Sequence, residues 1–135
     1  MMIDEKELRK GNIIKCLTRL PIGFNNPVLA HAEIVELRTS TVETNEGYYR
    51  YKDIGPIPLT EEILLKSGGQ KKSENEIIFA DYNNLDIPDL TLIIEGEKFY
   101  LSTENGGIYS VVIESVHHFQ NLYYAIKKKD VTINL

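Results

Sequence analysis

The 135-residue sequence predicts an α+β fold: an N-terminal SH3-like, mostly antiparallel β-barrel joined to a helix, β-hairpins and a C-terminal helix. Three observations carry that expectation. Short runs rich in β-branched and aromatic residues recur along the chain, each bounded by Gly, Asn, Asp or Pro. Segments with helix-start chemistry are few. The strands are separated by connections of hairpin length, so strands and helices segregate instead of alternating. A length near the usual single-domain range of roughly 100–200 residues makes 1–135 one domain, with a barrel-like subregion over 8–58 and a helix–hairpins–helix remainder over 59–135.

The elements follow in order. Asp4 with Glu7 three residues on resembles a capping box, predicting a short helix over 4–9 that Gly11–Asn12 stops. Residues 12–18 read as a strand, and Pro21 to Pro27 as a loop of turn residues. From Val28 to Thr39 the chain alternates: Val28, Ala30, Ala32 and Ile34 share one strand face, and His31, Glu33, Val35 and Leu37 the other. Residues 40–43 add a short strand, and Asn45–Glu46–Gly47 turns the chain into a strand over 48–52. Gly55-Pro-Ile-Pro is rigid and extended.

Thr60 is the clearest helix start. Its hydroxyl can cap free N–H groups, Glu61 and Glu62 suit the positive end of the dipole, and Gly68 supplies the stop. Leu59 and Leu64 occupy the two positions of a hydrophobic staple, and Ile63, Leu64 and Leu65 are expected to pack on the sheet. Residues 68–72 read as a loop. Strands are expected over 76–80, 91–95, 98–103 and 108–114, with tight turns at Gly96 and Asn105-Gly106-Gly107. The 81–90 segment reads as the most mobile loop. A helix over 116–128 and a short strand over 131–135 complete the chain.

Composition excludes several classes. Hydrophobic residues at 42% and charged residues at 26% are globular values, which argues against wholesale disorder. No apolar run reaches the roughly 18 residues of a membrane span, and the opening MMIDEKELRK carries acids where a secretory leader needs a basic and then apolar run. The one cysteine, Cys16, excludes an internal disulfide framework and a multi-cysteine zinc site. A net charge of −5 gives no bulk attraction to nucleic acid. That average conceals an uneven distribution. Residues 1–67 hold ten acids and nine bases, whereas Ser73–Ile126 holds nine acids against Lys98 alone, a net −8, and Lys127–Lys128–Lys129 follows at once. The acids are spread over several strands, as on a solvated face, with no calcium-loop pattern.

Chemistry-bearing residues gather on the last helix. Val116, Phe119, Leu122, Tyr123 and Ile126 form one apolar arc. His117, Gln120, Asn121 and Tyr124 stand at i, i+3, i+4 and i+7, so they form one patch of uncharged hydrogen-bonding side chains. That patch reads either as a recognition surface or as a face packed on the chain's own loops. Adjacent His117 and His118 point about 100° apart and cannot readily share one metal ion, so no metal site is assigned. Cys16 lies in an apolar alternation, as a small hydrophobe does. Tyr49, Arg50, Tyr51 and Lys52 are the candidate nucleic-acid contact, with Tyr49 and Tyr51 on one strand face to stack bases.

Three segments carry a family resemblance: Leu8-Arg9-Lys10-Gly11-Asn12-Ile13, Pro56-Ile57-Pro58-Leu59-Thr60-Glu61-Glu62, and Val116-His117-His118-Phe119-Gln120-Asn121-Leu122-Tyr123. Together they resemble a family of small, uncharacterised phage- and prophage-associated proteins of gut anaerobes. The chain departs from that pattern at His118, where Gln is usual, and at Lys127–Lys129, where a T-G-x segment is usual. The resemblance implies a cytoplasmic, mobile-element protein and supplies no catalytic residues. The leading expectation is a non-enzymatic protein-interaction module with a protein partner or a second copy, no cofactor and no membrane association. Single-stranded nucleic-acid binding through 48–52 and a His-dependent hydrolase or metal enzyme built on His31, His117 or His118 are the alternatives.

Overall fold

Hairpin connections dominate, as the turn residues predict, and they build two antiparallel five-stranded sheets. The computed structural model describes residues 5–17, 22, 31–81, 84, 86–102 and 108–135. The sequence-based expectations for 18–21, 23–30 and the 103–107 turn lie outside these. The described chain divides into two compact units, Met1–Pro58 with Ser115–His117, and Leu59–Glu114 with His118–Leu135. The architecture is mixed α+β with few helices.

In the first unit a 3-10 turn at Glu5–Glu7 precedes β1 (Ile13–Cys16), β2 (His31–Leu37), β3 (Thr41–Thr44), β4 (Gly47–Arg50), a second 3-10 turn (Tyr51–Asp53) and β5 (Ile54–Gly55). The sheet order is β4-β3-β2-β1-β5. Its core is Leu8, Ile14, Ala32, Ile34, Val42, Tyr49 and Ile54, with Cys16 and Tyr51 packed against it. Asn12 is wholly buried, and its side-chain oxygen accepts from the Arg9 N–H at 2.7 Å, closing the turn that the Gly11–Asn12 pair marks in the sequence.

Alternation along β2 places Ala32 and Ile34 inside and His31 and Glu33 outside. The pairing with β3 then shifts: Ile34 faces Thr44, but Glu36 faces Glu43 and Leu37 faces Val42. This irregularity re-aims the strand. Val35 and Leu37 are both exposed, on the side that the two-residue period gives them with His31 and Glu33.

The second unit carries α1 (Glu61–Lys66), β6 (Gln70–Ser73), β7 (Glu76–Phe79), β8 (Leu90–Glu95), β9 (Lys98–Ser102), β10 (Ile108–Ile113) and most of α2 (Val116–Lys127). The sheet is a meander, β10-β9-β8-β7-β6. Thr60 caps α1 by accepting the Ile63 N–H at 3.2 Å, and Gly68, at φ +106°, ends it, as the residue types require. Leu59 and Leu64 are both buried, whereas Leu65 is exposed, so one of the three apolar residues expected on the sheet faces outward.

Three further expectations need correction. Residues 68–72 read as a loop, but Gln70–Ser73 forms the edge strand β6, with all four side chains exposed. Residues 51–52 leave the strand and enter a 3-10 turn. Residues 131–135 form no strand.

Candidate interaction surface

Four side chains of the last helix were expected to form one patch, and the structure divides them. His117 and Gln120 are buried, Asn121 is half-buried, and Tyr124 is exposed at 43%. A buried His or Gln cannot be offered to a partner, so the outward part of that face is reduced to Asn121 and Tyr124. The apolar arc holds in part. Val116, Phe119 and Tyr123 are buried, with Leu122 and Ile126 half-buried.

His117 has a defined setting inside the first unit. The Ser115 hydroxyl lies 3.2 Å from Nδ1, and the Glu7 carboxylate lies 3.7 Å from Nε2. A nucleophilic serine has to be reached by its substrate, and Ser115 is only 7% exposed; its place is the lead-in to α2. His31 is exposed on β2 and His118 half-buried on α2. Among the described residues no three His, Cys, Asp or Glu side chains converge as metal ligands would.

The candidate nucleic-acid strand changes most. Val42 and Tyr49 pair across β3 and β4, which turns Tyr49 into the core at 1% exposure. The Tyr51 hydroxyl donates to the Arg38 carbonyl at 2.5 Å, and Tyr51 packs against the same core. The two rings therefore form no exposed stacking pair, which corrects the reading of Tyr49 and Tyr51 as one open face; Arg50 and Lys52 are exposed. Tyr49 instead shares the interior with Cys16. Burial first, and the Cys16 thiol second, push the Tyr49 hydroxyl well above the usual tyrosine range, and burial pushes the Cys16 thiol up. A raised thiol is a poor nucleophile, because the thiolate is the reactive form.

Exposed apolar surface gathers instead on the first unit. Ile22 and Tyr48 face each other across an isolated bridge, with the Ile22 N–H donating to the Tyr48 carbonyl at 2.7 Å, and both side chains are exposed. The Arg38 guanidinium lies 5.5 Å from the Tyr48 ring centroid, a stacking distance. The same guanidinium reaches Glu36 at 3.2 Å and Glu43 at 3.0 Å. Its hydrogen bond holds the Glu43 carboxyl below the usual range. Glu36, Glu43 and Tyr48 are successive partners across β2, β3 and β4, so sheet register places this cluster on the outer face. Neither Ile22, isolated in a loop-like sequence, nor Arg38 carried a pattern that marked it beforehand.

A buried charge stands in the second unit. The Lys127 ammonium has 0% side-chain exposure and is bonded to the Asp81 carboxylate, which also takes Lys129. The Lys127 bond, then the Lys129 bond, hold the Asp81 carboxyl below the usual range. A lowered carboxyl stabilises the fold above its unfolded value near about 3.9 and loses that contribution as pH falls through the lower folded value. Asp81→Asn is expected to lower the melting temperature at pH 7 more than Asp130→Asn does, because it leaves a buried ammonium opposite a neutral amide. Its melting temperature should also fall less steeply than that of wild type below about pH 4. Thermal melts across that range check both.

Comparison of the chain with family models, curated proteins and solved structures gives no match. No helix among the described residues is long and apolar enough to cross a membrane.

Proposed function

We propose that this protein is a non-enzymatic interaction module whose first unit meets a protein partner on the outer face of β2–β4. The observation that supports the reading is the exposed Ile22–Tyr48 pair with Arg38 stacked on the ring and flanked by Glu36 and Glu43. Exposed aromatic rings beside arginine are the residue types that anchor protein interfaces. The flanking carboxylates favour a protein over a nucleic acid here, because they already occupy the guanidinium that a phosphate would need. The SH3-like reading of this unit belongs to the same proposal. The order β4-β3-β2-β1-β5 and the 3-10 turn before β5 support it. The mobile-element, cytoplasmic setting that the sequence resemblance implies belongs to the proposal as well.

Ile22→Asp/Tyr48→Ala is expected to retain the wild-type melting temperature within a few degrees and to lose the partner. Capture from native lysate, followed by purification of the captured protein and direct titration, tests this. Binding weakened at least about tenfold (near 1.4 kcal/mol) supports the reading; the same partner bound equally well, or no captured protein that binds when purified, overturns it. Asn121→Ala/Tyr124→Ala serves as the rival surface, and loss confined to that variant moves the contact to the helix.

A further inference from the structure

We infer that the outer face of β2–β4 selects a partner segment carrying a lysine or arginine next to an apolar residue, which rests on reading that face as the place where a protein partner docks. Sheet register supplies the reason. Ile34 faces Thr44, so an unbroken ladder would put Val35 opposite Glu43. The shift puts Glu36 there instead. Like charges directly opposite one another cost stability, and strand irregularities gather where a side chain has to be re-aimed. Arg38 holds the pair together through a single nitrogen, its Nη2 lying 3.2 Å from Glu36 and 3.0 Å from Glu43. One guanidinium offsets one of the two carboxylates. The other charge is left at the surface, where the Glu36 side chain is 59% exposed.

The surroundings do not cancel that charge. From His31 to Arg50 the chain carries Glu33, Glu36, Glu43 and Glu46 against Arg38 and Arg50, a net −2 with His31 neutral. Arg50 stands opposite Thr41, at the end of the β3–β4 hairpin away from its turn. Apolar contact area lies beside the carboxylates. Ile22 and Tyr48 are exposed and bridged to each other, and Tyr48 is the cross-strand partner of Glu43, so one partner segment can reach the carboxylates and the ring together. Exposed ion pairs add little affinity. The apolar pair therefore anchors the partner, while the carboxylates choose among partners and set the salt dependence. A second copy of this face meets it with charge of the same sign, which disfavours self-association there.

Two probes test this, acetyl-Leu-Arg-Leu-amide and acetyl-Leu-Gln-Leu-amide, titrated into the isotope-labelled full chain at low salt and followed by amide NMR shifts. The arginine peptide is expected to move the Glu36, Glu43 and Tyr48 amides and to bind at least about threefold more tightly than the glutamine peptide. The preference should vanish in Glu36→Gln and shrink at about 0.5 M salt. It should survive Glu74→Gln, which removes an exposed acid from the second unit. Equal affinities for the two peptides, shifts confined to other surfaces, or a preference that Glu36→Gln leaves intact overturn the inference. The docking reading is judged apart from it. A captured partner that is lost on Ile22→Asp/Tyr48→Ala, yet indifferent to Glu36→Gln and to salt, keeps the face and removes its preference for a cation.

Discussion

Phe119→Ala is expected to destabilise the protein by about 3–5 kcal/mol, the range for removing a large buried aromatic side chain. Phe119 is wholly buried. Its ring lies 5.1 Å from Phe79 in a tilted contact and 5.9 Å from Tyr123 edge-on, and Phe79 meets Tyr123 edge-on at 5.8 Å. Each such pair adds about 0.5–1.5 kcal/mol beyond area burial, so truncation removes two of the three contacts and leaves a cavity between α2 and β7. Phe119→Leu fills most of that space and should cost markedly less. Urea denaturation of the two variants gives the comparison; equal and small losses would mean that the trio does not anchor α2.

Gly69→Ala adds one carbon and is expected to cost about 1–3 kcal/mol through overpacking. A Cβ there would stand 2.7 Å from the Ile77 side chain, 2.8 Å from the Leu64 carbonyl oxygen and 2.9 Å from the Phe79 ring. The carbonyl cannot readily retreat, because it accepts the Gly69 N–H at 3.0 Å and the Ser67 N–H at 3.3 Å in ending α1. Ile77 and Phe79 are core residues of β7. Gly69 is therefore the point where the end of the helix passes directly over the sheet. A variant as stable as wild type in chemical denaturation would contradict this close approach.

The legible parts of the fold were those in which local chemistry and tertiary packing agree. Thr60 capped α1 as its hydroxyl allows, Gly68 ended it, and the β8–β9 hairpin turned at Gly96, at φ +64°. Strand β6 was missed because Gln70–Ser73 has no apolar side; it is held by pairing with β7, an ordering that composition does not encode. Periodicity held along β2, where Val35 and Leu37 are exposed with His31 and Glu33, but it does not foresee the register shift against β3. The candidate sites suffered the same kind of loss. Helical spacing correctly put His117, Gln120, Asn121 and Tyr124 on one side of α2, but spacing does not say how deeply each end lies, and the first half is buried. The Tyr48–Lys52 run looked uniform, yet the strand ends at Arg50 and pairing turns Tyr49 inward. Ile22 and Arg38 gain meaning only once β4 brings Tyr48 to them.

The composition of β6 has a consequence for how copies of this protein behave when crowded. An outer strand presents unpaired backbone groups that can recruit a strand from another molecule. Here that margin carries Lys71 and Lys72, exposed side by side. Stacking a second identical margin against it would strip the hydration of the Lys72 ammonium and of the Lys71–Glu61 ion pair, 2.6 Å apart, with no apolar side chains to compensate. The strand that sequence patterning overlooked for want of hydrophobic residues is, for the same reason, a margin that disfavours sheet growth from molecule to molecule.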